Sequence, residues 1–212
     1  MSDGPARDCA RCPRLVEFRD TQRHLHGDWH NAPVPSFGSL DARLLIVGLA
    51  PGLRGANRTG RPFTGDYAGD LLYATLPRFG FAEGRYAARA NDGFTLIDCR
   101  VTNAVRCVPP ENKPEPAEIK SCGAFLADEI AAMSRLRVIL ALGVIAHCAV
   151  LTALGQRKSA FKFRHGAVHD LRPGLAFADS YHCSRYNTNT GVLTAAMFEA
   201  VFGEIAARLG RA

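Results

Sequence analysis

Four stretches of the chain are largely apolar, and each runs into a loop rich in small, polar or cyclic residues. Residues 43–48 read Arg-Leu-Leu-Ile-Val-Gly, residues 138–143 Val-Ile-Leu-Ala-Leu-Gly and residues 174–179 Gly-Leu-Ala-Phe-Ala-Asp. Residues 94–105 are apolar more loosely. Short continuous runs of this kind belong to strands buried on both faces. Between them lie segments of helical character. One covers 66–76, with Thr64 or Asp66 as its N-cap. Another covers 116–133 and begins Pro-Ala-Glu. A third covers 144–154 and stops at Gly155. A short helix over 15–25 and a last one over 190–209 complete the set. Strands alternating with helices predict an α/β fold, a three-layer α/β/α sandwich around a mainly parallel four-stranded sheet. One domain over 1–212 is expected, with 1–42 as an irregular N-terminal arm containing Pro5, Pro13, Pro33 and Pro35. Ligands of such sheets gather at the carboxyl ends of the strands. Three unusual loops fall there, 49–66, 102–107 and 181–191.

Composition narrows the class. Hydrophobic residues are 47% and charged residues 22% of 212, which argues against a disordered chain or a coiled coil. The longest apolar run, 138–146, is far short of the ~20 residues a membrane helix needs. The first residues carry no apolar h-region. A cytoplasmic protein with no membrane partner is expected. There are 26 Lys+Arg against 20 Asp+Glu, a net charge of +6. That surplus suits nucleic acid, although a GC-rich genome produces the same excess of arginine.

The seven cysteines are odd in number and come without an export signal, which argues against a disulfide framework. Cys99 and Cys148 sit in apolar or Ala-rich stretches and read as small buried hydrophobes. Cys9 and Cys12 form a C-x2-C turn. Cys107 and Cys122 flank a proline-stiffened loop. Four thiolates so arranged suit a zinc ion or a [4Fe–4S] cluster. The competing reading is a redox-active C-x2-C beside two incidental thiols. His24, His26 and His30 lie close together and read as solvated surface residues.

Four motifs remain. Residues 48–52 are Gly-Leu-Ala-Pro-Gly, and 57–66 are Asn-Arg-Thr-Gly-Arg-Pro-Phe-Thr-Gly-Asp. Residues 102–107 are Thr-Asn-Ala-Val-Arg-Cys, and 182–191 are His-Cys-Ser-Arg-Tyr-Asn-Thr-Asn-Thr-Gly. With these motifs, nearly the whole chain resembles the uracil-DNA glycosylase superfamily, most of all its family 5 branch of iron–sulfur enzymes. The second motif is long and specific; a lone Gly-x-Ala-Pro-Gly would be weak. The resemblance implies a monofunctional enzyme, acting as a monomer on single- or double-stranded DNA. It would flip out a deaminated base, uracil and also hypoxanthine, and hydrolyse its N-glycosidic bond to begin base excision repair. It also implies a structural [4Fe–4S] cluster on Cys9, Cys12, Cys107 and Cys122, and no nucleotide cofactor.

The resemblance assigns roles that the chemistry can be asked to justify. A base taken out of the stack must be held in a pocket. Phe63 is its stacking platform. The Asn103 amide matches a pyrimidine edge with one donor and one acceptor. His182 donates to the O2 atom where negative charge grows, as a neutral imidazole is able to. The backbone of Gly48, Leu49, Ala50, Pro51 and Gly52 lines the base and sugar. Asp66 orients water or balances the sugar cation, a role that competes with plain helix capping. Asn57 helps to position base or water. Ser184, Arg185 and Asn187 grip the flanking phosphates, with Arg54 and Arg58 at the rim.

Two features stand apart. Leu49 and Gly52 offer no polar side chain where sister families carry Asp, Asn or Glu, an absence typical of family 5. Cys183 replaces the proline of the family's His-Pro-Ser, which restores an N–H and loosens the loop; it is not expected to be catalytic. The alternative reading is a non-catalytic iron–sulfur DNA-binding or redox-sensing protein. A relative that traps its product covalently is disfavoured, because residues 53–62 contain no histidine.

Overall fold

A computed structural model describes residues 4–211. Along the chain come α1 (Pro13–Leu25), β1 (Leu44–Gly48), α2 (Ala56–Thr59), α3 (Tyr67–Thr75), β2 (Ala82–Glu83) and β3 (Thr95–Leu96). They are followed by β4 (Cys99–Asn103), α4 (Pro116–Ala132), β5 (Val138–Leu142) and α5 (Val144–Ala153). Last come β6 (Val168–Arg172), β7 (Leu175–Ser180), α6 (Arg185–Asn189) and α7 (Ala195–Arg208). The main sheet has the order β4-β1-β5-β7-β6. Its first four strands are parallel, and β6 runs antiparallel to β7.

Every residue of β1, β4, β5 and β7 is buried, because helices cover both faces of the sheet. Leu44 and Ile46 belong to one core with Leu72 of α3 and Phe198 and Phe202 of α7. Leu45 and Val47 point the other way, into a core with Leu126 and Ile130 of α4 and Val150 of α5. Alternate residues of one strand thus face opposite layers. Each buried Leu or Val contributes roughly 1.5–3 kcal/mol. Among the described residues no helix is long and apolar enough to cross a membrane.

The sheet holds five strands, not the expected four. Residues 168–172, Val-His-Asp-Leu-Arg, form the fifth at the edge, only partly buried. A strand covered so incompletely needs no continuous apolar run, and alternation in five residues is a faint signal. The stretch 94–105 also divides. Asp98 adopts a left-handed φ of 54°, and its carboxylate accepts from the Arg43 backbone N–H at 2.8 Å and from Arg43 Nε at 2.7 Å. Residues Thr95 and Leu96 turn away to pair with β2. The helix expected over 190–209 is α7, starting at Ala195 under a Thr194 cap, and a separate short α6 capped by Ser184 precedes it.

The N-terminal arm is tied to the sheet. Phe37 and Val101 exchange backbone hydrogen bonds of 2.9 and 2.8 Å, and the Val34 N–H donates to the Arg106 carbonyl at 2.7 Å. Glu129 of α4 lies between two buried cations, Arg100 at 2.6 Å and Arg106 at 2.5 Å. Such an array is tolerable only when its hydrogen bonds are filled. Arg106 also donates to Ser36 Oγ at 2.7 Å and to the Asn103 carbonyl at 2.9 Å. The end of β4 is therefore held from behind.

Candidate active site

The chain leaves β1 for β4 on one side, then crosses to β5 on the other side of β1. A crevice opens at the carboxyl ends where the order reverses. It is open to solvent, holds about 250 Å³, and is lined by Leu49, Ala50, Pro51, Gly52, Phe63, Asp66, Asn103, His182, Ser184 and Arg185, with Ala56, Tyr67, Ala68 and Asn112. The three loops flagged from sequence thus meet in one place.

The floor is built by close approach. A Cβ on Gly48 would stand 2.4 Å from Phe63 Cζ and 2.5 Å from Asn103 Oδ1. Only hydrogen at this position lets both side chains share the space. Phe63 is buried and sits at φ 53°, a left-handed conformation costly for an aromatic residue. Arg61 pays that cost through its own contacts. It makes a bidentate pair with Asp92, 2.8 Å at each nitrogen, donates to Thr64 Oγ1 at 2.8 Å, and lies over Phe37, Tyr73 and Tyr86. The Arg61 pair holds the Asp92 carboxyl well below the usual range. The Phe63 and His182 rings have centroids 6.2 Å apart and planes 28° from parallel.

Asp66 is the N-cap of α3. Its Oδ1 accepts from the Gly69 N–H at 3.1 Å. Its Oδ2 faces the glycines of the first loop, where a Cβ on Gly52 would lie 3.2 Å away and one on Gly55 2.5 Å away. One oxygen caps the helix and the other faces the crevice. Burial pushes the carboxyl up from its ordinary value, with the neighbouring Asp70 charge adding to the shift and the Gly69 N–H opposing it. A carboxyl raised in the fold stabilises it fully only below the unfolded value of 3.8. That contribution is lost as pH rises through the folded pKa, so the ionised group is a burden at neutral pH. Asp66→Asn keeps a good cap and removes the burden. Thermal unfolding at pH 7 should show an unchanged or higher Tm, while single-turnover activity falls about tenfold or more if Asp66 is catalytic. Unchanged activity would leave Asp66 as a cap alone.

His182 follows β7. Burial lowers its pKa, so the ring is neutral at pH 7. Its backbone is held by Asn187, whose Nδ2 donates to the His182 carbonyl at 2.8 Å. The preceding Tyr181 N–H donates to His165 Nδ1 at 3.1 Å, and the two rings stack at 4.9 Å. Cys183 points inward and is fully buried, its thiol donating to the Ala68 carbonyl at 3.4 Å. Burial drives its pKa far above the ordinary thiol range, so it is no nucleophile. Cys183→Ala should leave activity within about twofold and reduce stability by on the order of 1 kcal/mol in a denaturant titration.

Of the other expected residues, Ser184 and Arg185 line the crevice, whereas Asn57, Arg54, Arg58 and Asn187 do not. Asn57 is buried outside the crevice, donating to Asn31 Oδ1 at 2.8 Å, with its own Oδ1 unpartnered. Ser184 and Asn187 spend their groups on the loop itself, Ser184 Oγ accepting from the Asn187 N–H at 3.4 Å. Arg54, Arg58 and Arg185 are exposed, and Arg185 stacks over Tyr67 at 5.4 Å. Asn112, which sequence reading passed over, reaches the crevice from the loop between Cys107 and Cys122, where its Oδ1 accepts from the Leu53 N–H at 3.4 Å. Its position beside Pro-Pro-Glu in a stiff loop was the available signal.

Cys9, Cys12, Cys107 and Cys122 line a second, smaller cavity of about 20 Å³, with Leu15, Val105 and Phe125. Burial pushes the Cys107 thiol up to about 12 and raises Cys122. Among the described residues no group of three or more His, Cys, Asp or Glu side chains is gathered as for a single metal ion.

Fold and crevice together define an α/β protein with an open crevice at the carboxyl ends of its parallel strands. The chain belongs to the uracil-DNA glycosylase superfamily, whose family model matches residues 35–206. It is 45% identical over 201 residues to the type-5 uracil-DNA glycosylase of Thermus thermophilus, covering 92% of this chain and 91% of that one. It is 41% identical over 207 residues to the type-5 enzyme of Pyrobaculum aerophilum, covering 96% and 90%. A type-4 uracil-DNA glycosylase of Pyrobaculum aerophilum is 34% identical over 152 residues, 71% of this chain and 63% of that one.

Proposed function

We propose that this protein excises uracil from DNA by hydrolysing the N-glycosidic bond. The observation that supports it most is the meeting of Phe63, Asp66, Asn103 and His182 in one crevice. The flipped base lies on Phe63, and the Asn103 amide pairs with its edge. As the bond from C1′ to N1 breaks, its electron pair moves onto the base. Neutral His182 donates an N–H to the O2 atom where that charge collects. Asp66, ionised against its burial, faces the sugar cation and orients a water. The water oxygen bonds to C1′, and its proton passes to Asp66. The base leaves as an anion and is protonated by solvent. Exposed Arg54, Arg58 and Arg185 hold phosphates of the same strand.

Residues 49–52 carry no charged side chain, which is compatible with a purine at the first loop. We extend the proposal to hypoxanthine on that ground. The protein then acts as a monomer on cytoplasmic DNA and begins base excision repair. A non-catalytic DNA binder would have no use for the convergence of these four side chains. Oligonucleotides with one uracil or one hypoxanthine, single-stranded and double-stranded, test the breadth. Alkali-labile breaks at both lesions are expected. Breaks at uracil alone would confine the enzyme to pyrimidines.

The four cysteines suit a [4Fe–4S] cluster in that they line one shared apolar cavity. Arg19, 3% exposed, lines the same cavity with its Nε unpartnered, which suits an anionic group there. Cys9, Cys12, Cys107 and Cys122 would hold the cluster, and what it supplies is cross-linking of the arm to the loop after β4.

A further inference from the structure

We infer that Arg19 is the counter-charge of this cluster, a buried cation that sets its redox potential and its retention; the inference rests on the cluster reading. Three observations carry it. Arg19 is 97% removed from solvent, at 3% exposure. Its nearest carboxylate oxygen, on half-exposed Asp20, is 3.9 Å from Nε, beyond hydrogen-bond range. Its one side-chain-to-backbone bond is from Nη1 to the Cys9 carbonyl at 3.1 Å, which fixes the guanidinium beside the first cysteine.

A guanidinium cannot shed its proton in a protein, so a buried one whose nearest carboxylate is half-exposed Asp20 at 3.9 Å is poorly compensated. Besides Arg11, the cavity is lined by Cys9, Cys12, Cys107 and Cys122, by Ser121, and by apolar side chains, none of them an anion. The second cation of the cavity, Arg11, is exposed and rests on the Phe125 ring at 4.7 Å. Neutral thiols do not repay the burial of Arg19. Four thiolates around an iron–sulfide core carry net negative charge, and the unpartnered Nε–H is a donor ready for sulfur. Charge and hydrogen bonds near the sulfurs are what set a cluster's potential. A nearby cation favours the more negative, reduced state and raises the potential.

The test uses whole protein purified without oxygen, with iron and acid-labile sulfide counted and the midpoint potential measured by spectroelectrochemical titration. Arg19→Gln should shift the potential to more negative values, and Arg19→Lys should shift it less. If Arg19→Gln loses its cluster while Arg19→Lys keeps one near the native potential, the dependence on charge is equally established. Native potentials in both variants, or equal cluster loss in both, would overturn the role of the charge. Wild-type protein without acid-labile sulfide would instead overturn the cluster reading, and Arg19's role with it. DNA cleavage by that cluster-free protein would leave the glycosylase proposal standing.

Discussion

His182→Ala is expected to lower single-turnover uracil excision by about 10²–10³-fold, the scale of losing one donor aimed at a developing oxyanion. The ring lines the crevice 6.2 Å from Phe63, and its backbone is fixed by Asn187 and by the His165 contact next door. Folding should hardly change, because these fixings are to main chain. Binding of undamaged DNA should survive for the same reason. The pH profile carries a second signature. Burial lowers the His182 pKa below 6.5. A buried neutral histidine contributes its stability fully above 6.5, and that contribution fades as pH falls through the folded value. Excision should stay level through 6.5 and decline only on the acid side. Protonation of Asp66, raised by burial, adds to the same acid limb. A bell centred on 6.5 would contradict the assignment of a neutral donor.

Gly48→Ala should be nearly as damaging by a different route. The added methyl would meet the tip of Phe63 at 2.4 Å and the tip of Asn103 at 2.5 Å. Both are ends of side chains, so the fold can yield, and Tm should fall by only a few degrees. The two groups proposed to hold the base must move apart, however. Displacement by about 1 Å at a reacting centre is worth about 10²-fold. Single-turnover excision measured beside thermal unfolding should show activity lost with stability mostly kept. Loss of both together would mean that Gly48 serves packing and not the crevice.

Much of this site could be read from the chain before any coordinates. β1, β5 and β7 announce themselves as apolar runs because both their faces are buried, and the ends of those runs locate the crevice. Phe63, Asp66, Asn103 and His182 follow from motifs placed at those ends. What stayed hidden depends on contacts between distant segments. β6 escapes notice because an edge strand needs little apolar surface. Asn57 sits in a motif beside true crevice residues, yet the geometry of α2 turns it inward to Asn31. Asn187 shares a motif with His182 and serves it as a backbone anchor. Arg61 reads as one more arginine, although it is buried and props up the left-handed Phe63. Asn112 comes from the cysteine loop, and only folding reveals that the loop reaches the crevice. Arg19 looks like a helical surface residue until its burial is seen.

The most direct test of the central claim is single-turnover cleavage of a duplex carrying one uracil opposite guanine, by wild type and His182→Ala side by side. Products are resolved on a denaturing gel after alkali. The account predicts one alkali-labile break at the uracil with wild type, and the same break about 10²–10³-fold more slowly with the variant. Folded, DNA-binding wild-type protein that leaves the uracil strand intact would contradict it.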